Sequence, residues 1–268
     1  PGSVVTSSFG GASSEQSRVL WDGIDISSMA SGVLDLSLVP ASMLSSSALY
    51  DGINGGAIAP MGSVGALNLT AAIPKGRGTS TLFSASSIGD RGFFGHSWGN
   101  IGKVRYQSSL RSTAGANNYP YTLGNLSGTL SGNSFNDLTY LQSFKGKLLK
   151  WDWQSTLWYT QSEKDNSGSV LTPNYINHLE DEVLRFKYAL RNRSNQWQVY
   201  LSNEWQAYTD TNSSWIIQDT NRYSQATLQY SYRTEDQELF ITANYFSADG
   251  SNRNAHAFLP HVLYNLRL

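Results

Sequence analysis

At 268 residues the chain is long enough for one large domain or two ordinary ones, and its formal net charge of -1, with no run of basic residues, gives no field to steer nucleic acid. Charged residues are only 15% and aromatic ones 12%, with Ser, Asn, Gln and Thr filling much of the rest, so the chain is polar without being charged. Cysteine is absent, which removes disulfide scaffolds, thiol catalysis and zinc-cysteine sites.

The opening PGSVVTSSF has no basic start followed by an apolar stretch, so no export signal is visible there. The first 75 residues carry short apolar segments, Val19 to Trp21, Leu34 to Val39, Ala48 to Tyr50 and Ala66 to Leu69, separated by Gly, Ser and Asp. Such spacing predicts a small compact α/β unit. Asp22-Gly23 sits between two β-like pieces and predicts a tight hairpin turn, because this pair accepts positive φ. Pro40 followed by ASMLSSSALYDG predicts a helical start and a turn into a further strand.

From about residue 76 onward the pattern changes to ten short alternating segments with turn signals between them. The clearest is 151 to 160: Trp151, Trp153, Leu157 and Tyr159 share one face, and Asp152, Gln154, Thr156 and Thr160 share the other, since strand side chains alternate. The split recurs at 103 to 111, 184 to 191, 197 to 208 and 226 to 233, with Tyr200 and Tyr208 as exceptions on the polar face. After the first hairpin the connections alternate in length. They are short at 99 to 102, 145 to 149, 192 to 195 and 234 to 236, and long at 114 to 133, 162 to 179 and 209 to 221.

No window of 18 apolar residues exists, so no helix is expected to span a membrane, whereas a barrel needs only every second residue to be apolar. The alternation of short and long connections is what an outer-membrane barrel gives, with short periplasmic turns and longer outer loops. Trp98, Trp151, Trp197, Tyr208 and Tyr223, near strand ends, are expected at the two interfacial girdles.

RVLWDGIDISS, then LDLSLVPASMLSSSALYDG, then GGAIAPMGSVGALNLTAAIP resembles the plug domain of TonB-dependent outer-membrane receptors, and in detail looks closest to the cobalamin-receptor-like branch of Bacteroidetes. The resemblance covers about residues 6 to 74. Phe9-Gly10-Gly11 stands where the family usually has an Arg before the Gly, and the family's N-terminal half of the plug, with its TonB-engaging segment, is not represented. The implied fold is a transmembrane antiparallel β-barrel, partial at about ten strands, with an N-terminal α/β plug domain inside it: residues 1–75 plug, 76–268 barrel strands. A barrel that holds a plug needs about 22 strands, so the ten are expected to belong to a partial receptor, truncated or incompletely built, or one whose wall other chains complete.

The resemblance further implies TonB-dependent import of a scarce large nutrient, cobalamin-like or a siderophore, in a Gram-negative outer membrane. Its partners would be the TonB complex, the nutrient, outer-membrane lipid and a surface lipoprotein, with no nucleic acid. The alternative is a non-transporting barrel acting as a structural component of a larger complex. No enzyme chemistry is expected: His96, His178, His256 and His261 are scattered, and neither HExxH nor GxSxG occurs. Outward plug turns are the expected ligand contacts, Ser27, Ser28, Met29 and Ala30 on one and Ile53, Asn54, Ala57 and Ile58 on another. Tyr119, Tyr121, Tyr175 and Trp215 on long loops would add aromatic surface. No resident cofactor is expected beyond a loop calcium, for which Glu163, Asp165, Glu180, Asp181 and Glu182 would supply oxygens.

Overall fold

The computed structural model describes residues 5–8, 13–39, 44–51, 64–71, 73–167, 176–212, 215–235, 237–250 and 254–266. In the N-terminal part, β1 (Ser17–Trp21) and β2 (Ile24–Asp25) form a hairpin across Asp22-Gly23. Both turn residues have positive φ, 49° and 84°, as the pair predicts. The side chain of Asn68 accepts a bond from the Gly23 N–H at 2.9 Å and ties the turn to the neighbouring strand. β3 (Leu44–Asp51) and β4 (Gly65–Ala71) complete a four-stranded sheet in the order β2-β1-β4-β3, with β4 parallel to β1 and antiparallel to β3.

The helix expected after Pro40 does not form between Leu44 and Asp51. That segment is strand, and 40–43 lie outside the described residues. Ser45 to Ser47 have little helix preference, and Ser46 and Ser47 pair with Thr70 and Leu69 of β4 just past a bulge at Ser45. Among the described residues the only helical pieces are two 3-10 turns, Ser14–Gln16 and Leu36–Leu38.

The second part is a sheet of ten antiparallel strands, matching the number read from the sequence. Its strands are β5 (Gly78–Ala85), β6 (Arg91–Ile101), β7 (Val104–Gly115), β10 (Phe135–Leu148), β11 (Trp151–Ser167), β12 (Ile176–Arg191), β13 (Asn195–Asn212), β14 (Trp215–Arg233), β15 (Gln237–Gly250) and β16 (Asn254–Leu266). A separate hairpin, β8 (Tyr119–Leu123) with β9 (Leu126–Leu130), lies in the connection from β7 to β10. Each strand pairs with its sequence neighbours in the sheet, and β5 and β16 are edges, so the sheet is open.

The long connections are shorter than expected. β11 runs to Ser167, and β13 and β14 continue to Asn212 and Trp215, so most of 162–179 and 209–221 is ladder. Polar residues there hid the strand signal, because a strand with two polar faces has no apolar alternation to read.

The polarity of the sheet is inverted. The N-terminal domain packs on one face, here called inner, where Gln107, Ser143, Thr156, Lys187, Gln198 and Gln229 are all buried. The outer face exposes Leu157, Leu184, Trp197, Leu201, Leu228, Ile241 and Val262. A water-soluble sheet does the reverse, polar out and apolar in.

On β11 to β15 the outer face carries an apolar stripe that starts near the short turns, as from Trp151 to Tyr159 on β11. Beyond it the outer face becomes Gln161, Glu163 and Asp165. Trp151 and Trp197 lie on the outer face as expected for a girdle, but Trp98, Tyr208 and Tyr223 share the inner face with buried His96, Glu204 and Gln225. Position near a strand end does not fix the face; parity within the strand does.

Candidate functional site

The residues that break the alternation build the seam between domain and sheet. Leu141, Trp158 and Tyr200 are large groups on the otherwise polar inner face, and they form one buried cluster with Val19, Trp21, Ile24, Ile26, Leu34 and Leu69 of the N-terminal domain. Trp21 meets Trp158 edge to face, centroids 5.4 Å apart at 85°.

Around this apolar patch the wall grips the domain with charge. Lys187, fully buried, bonds the Asp22 carboxylate and lies 4.2 Å over the Trp21 ring. Gln198 donates to the Asp22 carbonyl at 3.3 Å, and Arg185 reaches the Ile26 carbonyl at 3.5 Å while lying 5.0 Å over Trp158. Further along, Glu204 accepts from the Ser28 hydroxyl and, at 3.2 Å, from the Met29 N–H. Lys164 pairs with Asp35, Arg111 with the Ser37 carbonyl, and Thr139 donates to the Leu38 carbonyl at 3.2 Å. Near the short turns Arg105 donates to the carbonyls of Ile73 and Pro74, the second at 2.7 Å.

These contacts orient the domain. On β13, Asp22 meets residue 198, near the short turn, and Ser28 meets residue 204, six positions towards the long connection. The turn holding Ser27, Ser28, Met29 and Ala30 therefore faces the long-connection end, the side on which the sequence expects ligand. Its shape comes from Ser28, whose oxygen accepts from the Ala30 N–H at 3.1 Å, and from Ser27, which accepts from the Val19 N–H at 3.4 Å. Ser28 and Met29 are joined to the wall through Glu204, a residue the sequence reading did not single out. Its polar neighbours on a polar strand face gave it no distinguishing signal.

Ile53, Asn54, Ala57, Ile58 and Tyr175 lie outside the described residues. Tyr119 and Tyr121 fall on β8, and Trp215 begins β14. The five carboxylates expected around calcium are divided by the sheet. Glu163 stands opposite Glu180 on the outer face with Asp165 and Glu182, whereas Asp181 is on the inner face. Asp165 and Glu180 bracket His178, at 2.7 and 3.0 Å from its ring nitrogens. Among the described residues no group of three or more His, Asp or Glu is arranged to hold a metal.

Two carboxylates of the N-terminal domain are perturbed in opposite directions. Burial pushes Asp25 above its ordinary range, against the Ser27 N–H and the Arg18 charge. Burial also pushes Asp35 up, but the hydrogen bond and charge of Lys164, with the N–H groups of Ser37 and Val5, outweigh it and hold Asp35 below its ordinary range.

For Asp35 the folded value lies under the unfolded one, so its stabilisation is full above about pH 4 and is lost as pH falls through the folded value. Asp25 has the opposite sign: its contribution declines as pH rises from about 4 through its raised value. Protection of the 33–38 amides, taken relative to intrinsic exchange at each pH, is therefore expected to fall on acidification below about pH 4, and Lys164→Met is expected to abolish that acid sensitivity. The 24–27 amides should instead gain protection on mild acidification.

The chain is thus an inside-out antiparallel sheet with a small mixed domain clipped to its polar face, and solved structures match this fold. The ferric enterobactin receptor PfeA of Pseudomonas aeruginosa aligns at a TM-score of 0.65 and 12% identity, covering 95% of this chain and 48% of that one. The copper transporter OprC gives 0.62 and 13%, covering 88% and 39%. The siderophore receptor PiuA of Acinetobacter baumannii gives 0.60 and 10%, covering 96% and 46%. The chain thus spans less than half the length of these structures, and at such identity the likeness is one of fold. No protein-family model matches the chain, and no curated protein matches it.

Proposed function

We propose that the chain supplies the plug and part of the wall of a TonB-dependent receptor that imports a scarce, large nutrient across the outer membrane, a corrinoid of the cobalamin kind or a siderophore. The observation that carries this reading is the inverted polarity of the sheet together with the domain seated on its polar face. An outward apolar stripe the length of Trp151 to Tyr159 on β11 is about what a tilted strand needs to cross a bilayer. A domain on the inner face then blocks the path through the wall.

Cargo arrives from the long-connection side and meets the turn at Ser28 and Met29. A periplasmic pull, powered through TonB by the inner-membrane ion gradient, then rearranges the domain. No bond of the cargo is made or broken. The polar and ionic contacts around the apolar patch suit this cycle, since those groups, once parted, can be met by water.

Deleting the full-length gene is expected to abolish growth when cobalamin or chelated iron is limiting, with the same loss on deleting tonB. Undiminished growth and uptake of both nutrients in the deletion strain would overturn the proposal and favour a structural role.

A further inference from the structure

The turn between β10 and β11 is chemically unlike the rest of the outer surface. Its sequence from 145 is KGKLLKWDW. Leu149 is 94% exposed and has a φ of 55°, a left-handed conformation that costs a bulky residue energy and that Asn or Gly would adopt freely in a two-residue hairpin turn. Leu148 beside it is 61% exposed. Folding alone does not favour an apolar side chain in such a place.

The surrounding residues carry a second signal. Lys150 in this turn and Arg193 in the next short turn are exposed, and among the described residues neither is in an ion pair. Lys147, Asp152 and Arg191 follow one another in the register on the inner face, so the cations left for the lipid side are those of the turns themselves. Trp153 lies across Gly146, where a Cβ would come within 2.8 Å of the indole nitrogen, so the glycine lets the ring lie flat on the outer face. An apolar tip, unpaired cations and aromatic rings continuous with the apolar stripe together describe a surface at headgroup depth.

We propose that this turn, with its neighbour at 192–194, docks on the phosphate groups of anionic phospholipid in the leaflet on the short-turn side. The inference rests on the reading that the stripe is lipid-embedded. Leu148 and Leu149 lie against the glycerol and upper acyl region, and Lys150 and Arg193 meet phosphate beside the tip. The outer face at the opposite end carries Glu163, Glu180 and Glu182 and offers no such surface, so the docking is one-sided.

The test uses the full-length receptor inserted into vesicles of phosphatidylcholine alone or mixed with phosphatidylglycerol, with retained lipids counted by native mass spectrometry. The wild type is expected to retain phosphatidylglycerol in preference to phosphatidylcholine. Lys150→Gln with Arg193→Gln is expected to lower that preference about twenty-five-fold, roughly fivefold for each cation near an anionic surface, while still inserting into neutral vesicles. Leu149→Gly, which relaxes the turn, should weaken retention without loss of fold. An unchanged preference in the double variant would overturn the proposal and point to an acidic protein partner for these cations. Failure of the wild type to insert into either vesicle would overturn the lipid-embedded reading itself.

Discussion

Asp22→Asn is expected to loosen the N-terminal domain from the sheet by about 3 kcal/mol, towards the lower end of what breaking a buried ion pair costs. Lys187 is 1% exposed and has the Trp21 ring on one side, so without the Asp22 charge its ammonium has only an amide oxygen to meet it. The Asp22 side chain is 21% exposed, and water reaching it from that side keeps the cost from the upper end. Asn tolerates the positive φ of the turn, so the hairpin itself survives and the change isolates the charge.

Lys187→Met in the same chain should recover most of the loss, since an apolar side chain of similar length removes the unpaired charge and still packs on Trp21. Hydrogen exchange of the β1–β2 amides in single and double variants gives the coupling directly. Equal exchange in wild type and Asp22→Asn would mean that Trp21 and Trp158 alone hold the hairpin.

The alternation legible in the sequence matched the ten strands and most of their two faces, because nearly every second residue of 151–160 or 226–233 had one character, Trp158 being the exception. The Asp22-Gly23 turn was equally local, a matter of two residues and their φ values. What the sequence could not say was which residues of the polar face are covered. Lys187, Glu204 and Gln198 resemble any solvated strand residue until the N-terminal domain is laid on them, and that is a long-range fact, with partners more than 160 positions apart. The one hint was negative: Trp158 and Tyr200 are too large and apolar for a wet face, and both turned out to be seam residues. The helix after Pro40 failed for the complementary reason, since pairing with β4 overrides a weak local preference.

Leu201→Arg is the substitution that most sharply separates a lipid-facing sheet from a soluble one. Leu201 lies midway along the apolar stripe of β13, opposite Phe186 and Ala226, and is 47% exposed. On a soluble protein an exposed leucine away from any special feature can become arginine for less than about 0.5 kcal/mol. At the midplane of a bilayer the same change costs about 2–4 kcal/mol, because the guanidinium must shed its water or drag water and headgroups inward. Ile216 supplies the comparison: it is more exposed, at 71%, and lies at the far end of β14 beyond the stripe, so Ile216→Arg should cost nothing measurable. Folding titrations of both variants into phosphatidylcholine vesicles are expected to show a large loss for the first and none for the second. Equal tolerance of both would place the leucine face in water and leave the apolar stripe without its explanation.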